Sequence, residues 1–374
     1  MQAPRLLTSR IRHSCRQVLH RVGTSMEHFI ITPGDRILVT GAAGFIGERV
    51  VHALLQRGFH NLVCFVRPSS DVNELDTIVN RLDTEKRVEI FRGNLLSRED
   101  CDVASRDVNV VLHLAAGTGE KSFPDAFMNS VVTTRNLIES SLRSELRRFV
   151  LVSSFSVYTN RQKSHVLDET CPIEEKPHLR GDAYCYAKVK QEEIVREYAE
   201  NARLKYVILR PGSVYGPVKS EIVGRVGIST FGRFLHLGGA NRVPFTYVDN
   251  CADAIVLAGL TKGIDGEVFN VLDDDLPTSR QFLRLYKKNV KRFPSTYLPH
   301  AVSFGLSYAW EKYAGWSNGQ LPPAFNRSRW NCYWRRVRYT NAKLKSKLCW
   351  TPKVTMKEGM RLYFEACARS EAHA

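Results

Sequence analysis

The residue pattern predicts an α/β fold: a doubly wound, mostly parallel sheet with helices on both faces and a smaller C-terminal substrate-binding region. Two observations carry this. Short apolar runs of strand length alternate with stretches of helical periodicity from about residue 36 to residue 210, and strands that stay apolar throughout belong to sheets covered on both sides. Between the first apolar run and the first helical stretch lies Gly41-Ala-Ala-Gly44-Phe-Ile-Gly47. A glycine turn leading from a strand into a helix is where such sheets take up phosphate.

Arg36–Thr40 reads as the first buried strand, and apolar side chains recur at helical spacing over residues 48–57 until Gly58 stops them. Leu62–Val66 and residues 88–91, 108–114, 149–152 and 206–209 read as further strands. Residues 123–141 and 184–199 have helical patterns. Regularity fades after about residue 210, where Gly- and Pro-rich loops alternate with a basic, aromatic stretch. The expected organisation is a basic extension over residues 1–30, a nucleotide-binding domain over 31–215, and a cap over 216–374 interleaved with the core.

In the glycine loop, Gly41 permits the sharp turn out of the strand, Gly44 lets backbone approach a pyrophosphate, and Gly47 allows close helix packing. Ala43, Phe45 and Ile46 complete the binding loop. Helix N-terminal amides and the macrodipole then hold the phosphate charge. The gap between the first two glycines is one residue longer than in the standard dinucleotide fingerprint. At the end of the second strand, an acid would bond the ribose 2′-hydroxyl and repel a 2′-phosphate. Here stands Arg67, followed by Pro-Ser-Ser70, and a guanidinium can fork onto a phosphate. NADP(H) is expected ahead of NAD(H), with Asp71 available as a ribose partner in the second case.

Tyr184 and Lys188 stand four residues apart on the helical pattern over 184–199. Moving a hydride to or from a carbinol carbon needs a group that handles the hydroxyl proton near neutral pH, and a free phenol titrates near pH 10. A cation about 4 Å away contributes roughly 4 kcal/mol at an effective dielectric of about 20, close to the three units required. Tyr186 and Lys190 repeat the same spacing, and the two tyrosines point in different directions on a helix. Ser153, Ser154 and Ser156 follow the strand at 149–152, at the edge where a hydroxyl could orient a substrate oxygen.

The 374 residues suffice for one large domain or a large and a small one. Nine scattered cysteines form no Cys-x-x-Cys pair and no His/Cys cluster, which points to a reducing compartment and no structural metal. No apolar run reaches membrane-spanning length, so a cytoplasmic protein, or one peripheral to a membrane, is expected. The formal net charge of +16 is uneven: residues 280–353 hold sixteen Lys/Arg against the single acid Glu311, and the first 26 residues add five arginines without an acid. The rest of the chain is near −4. All five tryptophans, Trp310, Trp316, Trp330, Trp334 and Trp350, fall in the basic C-terminal stretch. Rings interleaved with cations suit an irregular cap whose rings fill its core, or an anionic membrane surface or bulky apolar ligand, more than nucleic acid. The first 26 residues form a basic amphipathic segment that suits a surface anchor, a transit peptide or a disordered tail.

These motifs together resemble the extended short-chain dehydrogenase/reductase superfamily, which holds nucleotide-sugar epimerases and dehydratases, 3β-hydroxysteroid dehydrogenases and dihydroflavonol reductases. The resemblance runs from about residue 36 to residue 360. It includes Val39-Thr-Gly-Ala-Ala-Gly-Phe-Ile-Gly47, Gly93-Asn-Leu95, Leu112-His-Leu-Ala-Ala116, Asn129 with Thr133, Val152-Ser-Ser-Phe-Ser-Val-Tyr158, Tyr184-Cys-Tyr-Ala-Lys188 with Glu192, Leu209-Arg-Pro-Gly-Ser-Val-Tyr-Gly-Pro217 and Phe245-Thr-Tyr-Val-Asp-Asn250. It implies a Rossmann-type fold with Ser154, Tyr184 and Lys188 as the catalytic set, the glutamate eight residues on selecting Tyr184 over Tyr186. It further implies Asn94 and Leu95, Ala115 and Ala116, Asn129, and Pro211 and Ser213 as cofactor-binding positions, and a homodimer joined through the helix bearing Tyr184.

Two departures from the family pattern narrow the activity. Phe155 and Ser156 occupy positions where dehydratases place an Asp-Glu pair, and Val243 stands where epimerases place a diphosphate-binding arginine, with Arg242 one place off. The resemblance therefore implies an oxidoreductase that interconverts a secondary alcohol and a ketone on a sizeable, partly apolar small molecule. A nucleotide-sugar epimerase using the same three residues is the alternative, and a non-catalytic dinucleotide sensor the weaker one.

Overall fold

The computed structural model describes residues 26–117, 119, 122–160, 165–218, 222–230, 232–317, 320 and 325–372. The basic segment expected at the N-terminus lies outside them apart from Met26. Seven strands form one parallel sheet: β1 (Arg36–Thr40), β2 (Leu62–Val66), β3 (Glu89–Arg92), β4 (Val108–His113), β5 (Arg148–Val152), β6 (Tyr206–Pro211) and β7 (Val268–Val271). Their order across the sheet is β7-β6-β5-β4-β1-β2-β3. Val39 of β1 pairs with Cys64 on one side and Leu112 on the other. The chain winds outward in opposite directions from β1 and β4, so a crevice opens between them at the carboxyl ends of the strands.

Alternate residues of each strand feed different faces. Ile37, Val39, Cys64, Val110, Leu112 and Val150 pack with α1 (Gly47–Leu55) and α6 (Val248–Leu260) on one side. Leu38, Val63, Val111, Phe149 and Leu151 pack on the other with α3 (Arg98–Ala104), α4 (Thr133–Ser141) and α5 (Ala183–Ala202). The helix α2 (Asn73–Leu82) leads into β3. The seventh strand and α6 come from beyond residue 215, so the later chain returns to complete the sheet that the earlier chain begins.

The remaining C-terminal chain builds the cap. Gly227–Thr230, Arg233–His236 and Ser295–Tyr297 make a small sheet, and α7 (Ser279–Asn289), α8 (His300–Trp316), α9 (Arg327–Tyr333), α10 (Ala342–Leu348) and α11 (Met356–Ala372) follow. Tyr215, Phe245, Phe282, Tyr286, Tyr363 and Phe364 form an aromatic core beneath it. Trp330 and Trp334 are buried within the cap, Trp350 is buried in the core of the main sheet, and Trp310 and Trp316 are exposed.

Three local expectations shift. The strand expected at 88–91 lies one residue later. The sheet also contains β7, whose Val268-Phe-Asn-Val271 matches the family pattern in sequence but which periodicity alone did not mark as a strand. The helix expected over 123–141 is interrupted by a π-helical turn at Phe127–Val132. There the Thr133 hydroxyl donates to the carbonyls of Asn129 and Ser130, at 3.1 and 2.9 Å, and Thr134 donates to Ser130 at 2.6 Å. Hydroxyl bonds of this kind compete with the regular helical ladder.

One buried ion pair ties α5 to the sheet. Glu192, fully buried, accepts from Arg210 Nε and Nη2 at 2.8 and 2.6 Å, from Ser153 Oγ at 2.6 Å and from Arg196 at 3.1 Å. Burial pushes its carboxyl up, but the bonds and charge of Arg210 outweigh this and hold it below the usual range. Its contribution to stability is therefore present above the unfolded carboxylate pKa and is lost as pH falls through the lowered folded value. Glu192→Ala leaves Arg210 buried without its partner and should cost about 3–5 kcal/mol, read as a lower denaturant midpoint at neutral pH.

Candidate active site

Because all seven strands run the same way, residues far apart in sequence meet at one edge of the sheet. The glycine loop leaves β1 there, Arg67 follows β2, Asn94 and Leu95 follow β3, Ala115 and Ala116 follow β4, Ser154 follows β5, and Pro211 and Ser213 lie at the end of β6. Asn129 lies in the π-helical turn that leads into α4. The expected dinucleotide-contacting residues are thus aligned along the crevice edge.

Gly41 has φ +70°, a conformation that favours glycine, and its N–H bonds the Phe65 carbonyl at 3.1 Å. A Cβ on Gly47 would stand 2.1 Å from the Gly41 carbonyl oxygen and 2.8 Å from Ala42. Only glycine lets α1 begin this close to the loop. Gly44 is exposed, and a Cβ there would meet nothing within 4 Å except the Gly41 carbonyl at 3.1 Å. The N-cap of α1 is Ile46, which makes no side-chain cap. A helix N-terminus without a side-chain cap behind an exposed glycine fits a pyrophosphate, and the residues present therefore fit a pyridine dinucleotide.

Arg67 is exposed and makes no ion pair among the described residues. Arg92, which the sequence reading did not single out, donates to the carbonyls of Pro68 and Ser70 at 3.0 and 3.3 Å and brings a second guanidinium to this turn. Asp71 accepts from the Asn73 N–H at 3.0 Å at the entry to α2. The side-chain oxygen of Asn94 accepts from the Leu96 N–H at 3.0 Å. A carbonyl oxygen has two lone pairs, so that turn leaves Asn94 one further acceptor site.

Tyr184, Lys188 and Glu192 are spaced four apart and face the end of β5. The Tyr184 phenol faces the Ser154 hydroxyl, which pulls its pKa down, Lys188 Nζ donates to the Val152 carbonyl at 2.7 Å, and Glu192 accepts from Ser153. Three consecutive strand-edge residues therefore meet three successive turns of one helix. Ser154 Oγ also accepts from the Ser156 N–H at 3.1 Å, which leaves its own proton to donate. Tyr186 instead packs edge-on against Phe123, ring centroids 5.2 Å apart, and Lys190 pairs with Glu193 at the surface. The helix register thus separates the two equally spaced pairs.

The electrostatics differ from the expectation. Burial pushes Tyr184 up to about 12, and its bond with Ser154 offsets only part of the rise. Burial also lowers Lys188 to about 7, against the opposing pull of Glu192. The ammonium lies 5.9 Å from the centroid of the Tyr184 ring and is aimed at the Val152 carbonyl. A partly deprotonated lysine held by another acceptor does not acidify the phenol by itself.

The cap reaches this site through side chains that carry no motif. Arg180, fully buried, donates to the carbonyl of Ser156, to that of Tyr158 at 3.0 Å and to Glu174 at 2.9 Å. The Tyr333 hydroxyl donates to Asp182 at 2.9 Å, and Asp182 caps α5 by accepting from the Cys185 N–H. Their burial and pairing are properties of the fold, without local spacing to announce them. Gly47→Ala should weaken NAD(P)H affinity by tenfold or more or lower the melting temperature, since α1 must move off the loop; a nicotinamide fluorescence titration beside a melting curve checks it.

A family model for the NAD dependent epimerase/dehydratase family matches residues 37–271. The sterol-4-alpha-carboxylate 3-dehydrogenase, decarboxylating, of Candida albicans is 28% identical over 291 residues, spanning 73% of this chain and 80% of that protein. The dTDP-D-glucose 4,6-dehydratase of Dictyostelium discoideum is 26% identical over 260 residues, 64% of this chain and 58% of its own. Among solved structures, the UDP-glucuronic acid 4-epimerase of Bacillus cereus in complex with NAD superposes with a TM-score of 0.67 at 23% identity, covering 90% of this chain and 99% of the other, a likeness of fold. Strand order, glycine loop and family match together make this chain a member of the NAD dependent epimerase/dehydratase family, within the extended short-chain dehydrogenase/reductase superfamily.

Proposed function

We propose that the protein is an NADP(H)-preferring oxidoreductase that interconverts a secondary alcohol and a ketone on a partly apolar small molecule. The observation that carries this is the convergence of α5 on the end of β5, where Lys188 donates to the Val152 carbonyl at 2.7 Å, Glu192 accepts from Ser153 at 2.6 Å, and Tyr184, one turn before Lys188, faces Ser154. Bound along the glycine loop, the dinucleotide would supply the hydride or receive it. Ser154 holds the substrate oxygen, Tyr184 gives the proton in reduction and takes it in oxidation, and Lys188 reaches the ribose side and adds positive charge beside the phenol. Gly41, Gly44 and Gly47 with Ala43, Phe45 and Ile46 hold the pyrophosphate.

Three features support reduction and oxidation over the alternatives. Phe155 is buried, stacks on Tyr339 and meets Tyr158 edge-on, so no carboxylate stands where dehydration would need one. Val243 is buried, and the Arg242 guanidinium donates to the Leu276 carbonyl at 2.6 Å, away from a role on a nucleotide diphosphate. The sterol dehydrogenases of Candida albicans and Bos taurus lie among the relatives, and an apolar substrate suits the aromatic cap. For the cofactor, two guanidiniums at the Arg67–Ser70 turn suit a 2′-phosphate.

Tyr184→Phe should lower kcat by about 10²–10⁴-fold while NADPH affinity changes little. In the wild type, oxidation should speed up as pH rises, since it needs the deprotonated phenol, and reduction should slow. Turnover of sterol-like and other hydroxy substrates, followed by net change in nicotinamide absorbance, tests the reading; isomerisation without net cofactor consumption would favour an epimerase. Arg67→Glu should shift the NADPH-over-NADH ratio of kcat/KM by tenfold or more toward NADH, and an unchanged ratio removes the NADP(H) assignment.

A further inference from the structure

Helix α8 (His300–Trp316) has its small side chains inside and its large ones outside. Ser303, Ser307 and Ala314 face the protein, and Ser303 Oγ accepts the Trp330 indole N–H at 3.0 Å. Val302, Leu306, Trp310, Tyr313 and Trp316 are exposed, Leu306 to 49% and Trp316 to 77%. Successive steps of four, four, three and three residues keep these five side chains on one stripe of an α-helix. Leaving such a stripe in water sacrifices burial energy that the neighbouring positions 303, 307 and 314 could have recovered.

The stripe sits in the most basic part of the chain. Residues 280–353 hold sixteen Lys/Arg and one acid, Glu311. That acid is taken by Arg327, whose Nε and Nη2 donate to it at 3.0 and 2.9 Å. On α7, Arg284 and Lys288 are exposed and make no ion pair among the described residues, and the same holds for Arg292 just beyond it. The starts of α7 and α8 meet at one turn: Arg280 N–H bonds the Gly239 carbonyl at 2.9 Å, and His300 Nε2 lies 3.1 Å from the Leu237 carbonyl. Arg280 also lies over the Tyr297 ring, 5.4 Å from its centroid.

We propose that the α8 stripe docks on an anionic lipid bilayer, the helix lying in the interface with its apolar side chains at the boundary of headgroups and acyl chains. Aromatic rings with a polar edge and cations on long stems are the side chains that this boundary favours. Charge decides against a second copy of this chain, because a twofold contact would bring two cation-rich 280–353 segments, each with sixteen Lys/Arg and one acid, to one seam. Aliphatic Val302 and Leu306 offer no stacking face to nucleic acid bases. No helix among the described residues is long and apolar enough to cross a membrane, so the mode is surface docking. The inference does not depend on the substrate or on the reaction.

Co-sedimentation of the full chain with phosphatidylcholine vesicles, with and without phosphatidylserine, tests it. The wild type should bind the anionic vesicles and release at high salt. The double variant Leu306→Ser/Trp316→Ser should bind about tenfold or more weakly, with unchanged melting temperature and elution volume. Arg284→Glu/Lys288→Glu should lose the preference for phosphatidylserine. The proposal is overturned if the wild type does not bind, or if the stripe variant binds equally, which would leave residues 1–26 or bare charge as the anchor. It is also overturned if the wild type elutes as a dimer that the stripe variant converts to a monomer.

Discussion

The candidate chemistry depends on how α5 is held against the end of β5. Glu192 does most of this, because one carboxylate accepts from Ser153 on β5, from Arg210 on β6 and from Arg196 on its own helix. Two turns earlier, the same helix face presents Tyr184 to Ser154. A shift of α5 by two residues would turn it by about 200° and put Tyr186 toward the strand, away from Phe123 and Phe127 on which it packs. The salt bridge and the aromatic contact therefore select the same register from opposite sides of the helix. Behind them a buried polar chain runs from Thr40 through His113 and Thr134 to Gln191 and links β1, β4, α4 and α5. Burial lowers His113 to about 3, so it serves there as a neutral hydrogen-bonding group.

The second constraint joins cap and sheet. Arg180 is buried with Glu174, and Ser328 of the cap donates to the same carboxylate at 2.8 Å. Asn326 donates to the Arg180 carbonyl at 2.8 Å, and Tyr333 reaches the N-cap of α5. A buried arginine that lost its carboxylate would be costly, so Arg180 fastens the cap to the loop after β5, at carbonyls two and four residues beyond Ser154.

Much of this was legible in the sequence, and the parts that were not share a cause. That the glycine loop, Ser154, Tyr184 and Lys188 lie at one edge of the sheet was readable from motif spacing, and the central strands through residue 211 were readable because burial on both faces makes them apolar. The strand β7 lies after a long, irregular excursion, and its residues Val268-Phe-Asn-Val271 offer only four positions, one of them polar. Arg92, Arg180 and Arg225 look like ordinary surface cations in sequence, yet Arg180 is wholly buried and Arg225 lies over the Tyr333 ring while donating to the Cys332 carbonyl. The tryptophans divided: Trp330 and Trp334 fill the cap, Trp350 packs in the core of the main sheet, and Trp310 and Trp316 face outward on a helix whose buried side only three-dimensional packing could reveal.

The proton state of the site follows from the same burial. A fully charged Lys188 would need a counter-ion, and the nearest carboxylate, Glu192, is already shared between Arg210 and Arg196. Without a spare anion, desolvation lowers the lysine to about 7 and raises the phenol to about 12, so the ionised tyrosinate is disfavoured until further positive charge enters the crevice. An oxidised nicotinamide carries such a charge, and its ribose hydroxyls offer Lys188 acceptors other than the Val152 carbonyl. Under the proposed function, acidification of Tyr184 would then belong to the site with its dinucleotide bound, whereas burial alone holds the phenol at about 12 and the lysine at about 7.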